Sequence, residues 1–405
     1  MQKEFDILVY GATGFTGRLV TQYLKAQTAD SNVTWAVAGR SESKLKALMA
    51  EFSLPEGVSY QIADSSDPAA LREAIGKARV VLTTVGPYAR YGNDVVAACA
   101  ELGVHYCDLT GEVHWMRRMI DAHQKTAEAS GAIIVHTCGF DSIPSDLGTY
   151  YAQKVMRERH GVPARHVKYR AREFKGGFSG GTLDSMWSMM EEMAKDPSIG
   201  LTLADPYALN PKGQRRGMDG PDRMTPEYDP DFGAWIAPFV MAQINTRVVR
   251  RSNALLGGLY GADFRYDEGT LIKDGPLGFL GAAATSLGMS GMNALSSPEA
   301  TRKLLQRVLP KPGEGPDEET IKNGFYVIDL LAKHPTDKSK DLTVRVTGDQ
   351  DPGYGSTSKM LAESAAALAA GEAVVGGGFW TPASAIGDAL LQRLPDHAGI
   401  TFEVL

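Results

Sequence analysis

The sequence predicts an α/β fold, a doubly wound parallel sheet with a second α+β domain. Three observations predict it. The short apolar run Ile7-Leu8-Val9-Tyr10 is followed at once by Gly11-Ala12-Thr13-Gly14-Phe15-Thr16-Gly17 and then by a helical period. Strand-like and helix-like segments then alternate over about 150 residues, the rhythm of parallel strands joined by right-handed crossovers. Beyond Gly161 the rhythm gives way to strands with one polar face and a long Pro- and Gly-rich stretch.

Taken in order, strand one is a buried run rich in β-formers, and Leu19, Val20, Tyr23 and Leu24 give the following helix its apolar stripe. Further strands are expected at 33–38, 58–63, 80–85, 104–109 and 132–137. Helices are expected at 43–52, capped by Ser41 or Ser43, and at 68–78, capped by Asp67. Others are expected at 93–102 and 112–130. In the second domain 167–174 reads as a strand whose wet face carries Lys168, Arg170 and Arg172. Residues 210–238 read as a long loop or lid, and 342–347 as another alternating strand. Two alanine-rich helices, 356–370 and 380–394, are expected to return to the first sheet and cover it. The expected division is 1–155, 156–350 and 351–405.

With 43% hydrophobic and 22% charged residues in 405, the composition is that of a globular protein. A net charge of −6 without a Lys/Arg block argues against nucleic acid as a partner. Cys99, Cys107 and Cys138 are too scattered for a disulfide framework or metal knuckle, and the histidines lack zinc-site spacing. No signal-peptide pattern opens the chain. The expectation is a reduced, metal-free, cytoplasmic protein, with peripheral membrane contact left open.

The glycine loop directs the functional reading. Gly11 permits the tight turn, Gly14 lets backbone approach a pyrophosphate, and Gly17 lets the helix pack on the strand. The helix start, with Thr13, Phe15 and Thr16, then presents free N–H groups to phosphates. No Asp or Glu occurs at 34–41, where NAD-specific sites hold a carboxylate for the ribose. Arg40 stands there with Ser41 and Lys44, a clamp suited to a 2′-phosphate, so NADP(H) is the expected cofactor. The plainer alternative pairs Arg40 with Glu42. Asp64 either faces the adenine or caps a turn. Gly86, Pro87 and Tyr88 end a strand where ligands bind in such sheets. Tyr88 and Tyr91 either shape that wall, supply a proton, or simply pack. Thr110-Gly111-Glu112 and Gly139-Phe140-Asp141-Ser142 end the next strands and converge there, although Asp141 and Ser145 also suit helix caps. A Tyr-x-x-x-Lys match at Tyr150 and Lys154 is set aside, since among 15 tyrosines roughly one is expected by chance. Met186, Met189, Met190 and Met193 share one helix face, suited to an irregular apolar ligand or to plain core. Residues 276–292 are apolar and Gly/Ala-rich, too glycine-rich for a good spanning helix.

The motifs from Tyr10 to Gly17, Ala38 to Arg40, Gly86 to Tyr88, Tyr106 to Glu112, Cys138 to Asp146 and Ser179 to Thr182 together resemble the saccharopine dehydrogenase-like oxidoreductases. The tail Gly376 to Pro382 fits as well, so the resemblance covers nearly the whole chain. It is most similar to the branch of trans-acting enoyl reductases of mycobacterial lipid synthesis. The resemblance implies a Rossmann domain with an α+β partner, a nicotinamide cofactor, and frequently a homodimer. It also implies reduction of a carbon–carbon double bond in a lipid or polyketide intermediate. Related enzymes make saccharopine instead, and other relatives associate with lipid droplets without a settled activity.

Hydride addition to an enoyl β-carbon leaves an enolate, which needs an oxyanion donor and then a proton. Tyr88, Ser142 and Thr182 are the candidates by placement. A lipid-like substrate, presented by a carrier protein or a membrane surface, is expected to enter an apolar pocket. That pocket should open from Gly86-Pro87-Tyr88 toward the Met-bearing helix.

Overall fold

In the computed structural model, residues 3–177, 180–296, 311 and 313–405 are described. Six strands open the chain: β1 (Phe5–Tyr10), β2 (Trp35–Gly39), β3 (Ser59–Ile62), β4 (Ala78–Thr83), β5 (His105–Asp108) and β6 (Ile133–Val135). Between and after them run α1 (Phe15–Gln27), α2 (Glu42–Glu51), α3 (Pro68–Gly76), the one-turn α4 (Tyr88–Tyr91), α5 (Asn93–Leu102) and α6 (Val113–Ser130). Ile7, Leu8 and Val9 have no exposed surface, as a strand covered on both faces by helices requires. Ser41 caps α2 by accepting from the Lys44 N–H, and Asp67 caps α3 through Ala69 and Ala70.

The rest of the chain supplies α7 (Ile143–His160), β7 (His166–Lys175), α8 (Gly180–Lys195), α9 (Ser198–Ala204), β8 (Glu227–Asp229) and β9 (Ala234–Ala237). It continues with α10 (Ala242–Leu255), β10 (Arg265–Leu271), α11 (Gly275–Ser296), α12 (Glu318–Lys322), β11 (Phe325–Lys333) and β12 (Leu342–Gly348). The end comprises α13 (Thr357–Ala369), β13 (Gly378–Trp380), α14 (Pro382–Arg393) and β14 (Ile400–Val404). Two seven-stranded sheets result. The first is parallel throughout, in the order β13-β6-β5-β4-β1-β2-β3. The second, β14-β12-β11-β7-β10-β9-β8, is antiparallel except where β7 lies parallel to β10.

Three sequence expectations change. The tail does return to the first sheet, since α13 packs on β1, β4 and β5. It also adds β13 to the sheet edge, pairing Phe379 with Ile134, while α14 leans on α7 and β14 joins the second sheet. A three-residue strand is too short to carry a period, so only tertiary pairing reveals it.

The expected loop at 210–238 contains the β8–β9 hairpin. Ion pairs pin that hairpin, because Lys168 reaches Asp229 and Asp231 at 2.8 and 2.6 Å while Arg170 reaches Asp229 at 2.7 Å.

The wet face expected for β7 is therefore largely a covered ion-pair face, with Arg170 only 1% exposed. Only Arg172, which pairs with Asp329, remains toward solvent. Phe178 and Ser179 of the glycine-rich turn, and the side chain of Met292, lie outside the described residues.

Candidate active site

The site is built where strands of the first sheet end. Gly11 has φ +91°, and a Cβ there would stand 2.5 Å from Val85 Cγ2. A Cβ on Gly17 would stand 2.9 Å from Ala12 Cα and closer still to the Gly11 carbonyl. Both glycines are thus demanded by the protein itself. Gly14 differs. It is exposed, begins α1 without any side-chain cap, and leaves space outside the chain. The first N–H groups of α1, at Phe15, Thr16 and Gly17, have no intrahelical acceptor and point where an anion binds. The Thr13 side chain reaches toward Gly39 at the end of β2.

Arg40 follows β2, is exposed, and has no ion-pair partner among the described residues. Glu42, its alternative partner, is held by Lys46 at 2.7 Å and by the Tyr60 hydroxyl at 2.8 Å. Lys44 is exposed beside it, and the Ser41 hydroxyl is shared between the α2 cap and Ser43. Asp64 caps a turn, accepting from the Ser66 N–H and hydroxyl at 2.9 and 2.8 Å. Those hydrogen bonds hold its carboxyl below the usual value.

Across the crevice, the Gly86–Pro87 peptide is cis. A Cβ on Gly86 would meet Ser185 of α8 at 3.4 Å, so α8 lies against this turn. Glu112 accepts from the Tyr88 and Ala89 N–H groups, both at 2.9 Å, and thereby caps the short α4. Tyr88 points inward. It is 3% exposed, its hydroxyl donates to the Thr83 carbonyl at 3.1 Å, and burial pushes it well above its ordinary value. Ser142 is fully buried and donates to Asn245 Oδ1 at 3.2 Å. Thr182 is exposed at the start of α8, with its hydroxyl 2.9 Å from that of Tyr354. Each of the three hydroxyls has a partner within the protein: Thr83 for Tyr88, Asn245 for Ser142 and Tyr354 for Thr182. Burial that made the first two look well placed also commits their hydroxyls to internal partners.

Asp141 presents a different picture. It sits after β6 opposite Gly111, and its carboxyl accepts from its own backbone N–H. It caps nothing, because α7 begins at Ser142 without a side-chain cap. Burial, then the nearby Asp108, raises its carboxyl to about 7. Two groups at the crevice escaped notice in the sequence. Tyr354 stands edge-on to Phe15 at 5.1 Å, and Asp351 accepts from the Gly177 and Tyr354 N–H groups at 3.0 and 2.7 Å. The turn signature Asp351-Pro352-Gly353 was the available signal. Tyr150 and Lys154 both reach Asp388 on α14, at 3.1 and 2.9 Å, and serve packing of the tail.

Comparison with known proteins agrees with this geometry. Residues 7–135 match the saccharopine dehydrogenase NADP binding domain. A trans-acting enoyl reductase of Mycobacterium leprae is 38% identical over 414 residues, covering 98% of this chain and 97% of its own. One from Mycobacterium ulcerans is 37% identical over 407 residues, covering 97% and 96%. The chain belongs to the saccharopine dehydrogenase-like oxidoreductases, in the trans-acting enoyl reductase branch. The fold of yeast saccharopine dehydrogenase (L-Glu forming) also spans 99% of both chains, with a TM-score of 0.54 at 14% identity.

As a member of that family the protein is an NADP(H)-dependent oxidoreductase. Its residues fit the cofactor: the uncapped start of α1 matches a pyrophosphate, and the unpaired Arg40 matches a 2′-phosphate. The cations expected for an amino-acid substrate are elsewhere. Lys168, Arg170 and Arg172 leave β7 on the face opposite Val167, Tyr169 and Ala171, and are paired with Asp229, Asp231 and Asp329. Inward on α8 are Trp187 and Ser188. Met186, Met189 and Met190 are half-buried beside them, and Met193 is 37% exposed. Among the described residues no helix is long and apolar enough to cross a membrane.

Proposed function

We propose that the protein reduces a carbon–carbon double bond conjugated to a carbonyl, in a lipid-like or polyketide intermediate, at the expense of NADPH. The likeness to trans-acting enoyl reductases that match nearly end to end supports this reading. The observation that carries it in the site is Asp141, a carboxyl opposite Gly111 that burial, then the nearby Asp108, raises to about 7. Gly11–Gly17 and Arg40 would hold NADPH, which would supply the hydride for the β-carbon. Asp141, and not Tyr88 or Ser142, then delivers the proton that the resulting enolate requires. Thr182, whose hydroxyl lies 2.9 Å from that of Tyr354, is the proposed donor to the enolate oxygen, with Ser185 close to the Gly86 turn. The half-buried methionines of α8 give the acyl chain an adaptable wall.

In this reading residues 1–155 hold the cofactor, 156–350 shape the substrate side, and 351–405 tie the two together. Lipid metabolism in the cytoplasm, with substrate handed over by a carrier protein, is the setting that suits it. The test is NADPH oxidation with enoyl thioesters of increasing chain length, run beside 2-aminoadipate semialdehyde plus glutamate. Turnover of thioesters that improves with chain length is expected. Turnover with the amino-acid pair alone would overturn the reading.

A further inference from the structure

Residues 351–357 lead from β12 into α13 and touch three parts of the crevice at once. The Asp351 carboxylate is buried and accepts from the Gly177 and Tyr354 N–H groups, which ties the turn to the chain just ahead of α8. Thr357 anchors the turn on the other domain, because its hydroxyl accepts from the Phe140 N–H at 2.9 Å, one residue before Asp141. Tyr354, between these anchors, is 4% exposed. Its ring stands edge-on to Phe15 of the glycine loop, at 83° with centroids 5.1 Å apart. At the far end of the same side chain, its hydroxyl lies 2.9 Å from that of Thr182 on α8.

Phe15 has little freedom in this seat. A Cβ on Gly315 would run into the Phe15 ring, so Gly315 and Tyr354 both press on it. The Glu314 carbonyl meanwhile accepts from the Gly180 N–H at the start of α8, at 3.0 Å. The Phe15 N–H is one of the donors left open at the start of α1, so the place of this ring sets the place of a phosphate-binding group. At the other end, an exposed threonine in the first turn of a helix has more than one rotamer open to it. The Tyr354 hydroxyl selects one. We infer that Tyr354 is a positioning residue that seats the nucleotide loop through its ring and aims the Thr182 hydroxyl through its own. The inference rests on the proposed role of Thr182 as donor to the enolate oxygen. Such a donor must lie in hydrogen-bond reach of the developing charge, and a misplacement of ~1 Å costs up to about 10²-fold in rate. The two contacts use different atoms of one side chain, so they separate by substitution, whereas a residue that only filled space would move binding, turnover and stability together.

Tyr354→Phe keeps the ring and removes the hydroxyl. NADPH affinity, read by fluorescence titration, and the urea midpoint should stay at wild-type values. With an enoyl thioester kcat should fall ~10-fold while KM hardly moves. Tyr354→Phe combined with Thr182→Val should be no slower than Thr182→Val alone, because Tyr354 acts through that hydroxyl. For the ring, Phe15→Ala and Tyr354→Ala should each weaken NADPH, and the double variant should lose less than the product of the two factors. Wild-type kcat in Tyr354→Phe, additive rate losses with Thr182→Val, or independent effects of Phe15→Ala and Tyr354→Ala on NADPH would each overturn the inference. Nucleotide titration needs no turnover. Absence of thioester reduction in the wild type would therefore count against the proposed reaction, and the NADPH cycle would still decide whether Tyr354 seats the loop.

Discussion

Arg40 is the side chain proposed to select NADPH over NADH. Its guanidinium is free because Glu42 is occupied by Lys46 and Tyr60. Arg40→Ala should weaken NADPH by about 1.5–3 kcal/mol, the worth of a charge-assisted hydrogen bond, and leave NADH almost unchanged. Fluorescence titration of both nucleotides checks this, and an equal loss for both would remove the 2′-phosphate role. Gly14→Val should abolish nucleotide binding without unfolding the protein, because the added Cβ meets only the Gly11 carbonyl, at 3.3 Å, and Gly14 is otherwise exposed. Gly17→Val, by contrast, should fail to fold, since its Cβ meets backbone. In the proposed reduction Asp141 sets the pH profile. Its raised value means the acid form is present below about 7, so turnover should fall as pH rises through that point. Asp141→Asn should lower kcat by ~10²-fold or more and erase that limb, while NADPH affinity is retained. A mutant with the wild-type pH profile would exclude Asp141 as the proton source.

At the scale of elements, the β8–β9 hairpin is held to the second sheet by charge as well as by the buried Ala234, Ile236 and Ala237. Burial opposes the ionised form of Asp231, but hydrogen bonds from Lys168 and Lys333 bring its carboxyl down to about 2. A depressed value contributes stability that is full above the ordinary 3.8 and is lost as pH falls through about 2. Arg170 and Asp229 are both 1% exposed in their side chains. Asp229→Ala leaves a buried guanidinium with one fewer counter-charge, a change that costs about 3–5 kcal/mol. Replacing Arg170 and Asp229 together by Met and Leu should recover most of that loss. Urea midpoints of the single and double variants decide it, and a harmless Asp229→Ala would contradict the buried-pair account.

Across the whole molecule, α10 joins the two sheets through buried carboxyls. Asp146 on α7 accepts from the Ala383 N–H at 2.8 Å and from Ser252 on α10. Glu268 on β10 accepts from Tyr266 at 2.7 Å and from Asn245 on α10 at 3.1 Å, and Asn245 in turn accepts from Ser142. Burial raises both carboxyls to about 7. For an acid, a raised folded value favours the neutral form, so the native state binds more protons than the unfolded one. Stability from these two groups is greatest below about 4 and declines as pH rises toward 7. Thermal midpoints measured between pH 5 and 8 should therefore drop with rising pH, and Glu268→Gln should flatten that slope. A slope unchanged in Glu268→Gln would assign the dependence elsewhere.

What the chain determined by itself is the first sheet and its nucleotide end. Ile7 to Tyr10, the glycine loop, Arg40 and the alternating elements to Val135 are local patterns, and each reports its structure within about 20 residues. The apolar, uncharged character of α11 was equally plain, because periodicity needs no partner to be visible. Only the tertiary structure decided the rest. Lys168 and Arg170 read as solvent-facing until Asp229 and Asp231, some 60 residues away in sequence, are brought across them. Tyr88 and Ser142 read as reactive hydroxyls until Thr83 and Asn245 engage them. Asp141 read equally as a crevice residue or a helix cap, and three residues around Phe379 hid an entire strand of the first sheet. In each case the deciding quantity is desolvation or pairing with a residue distant along the chain, which spacing along a sequence does not encode.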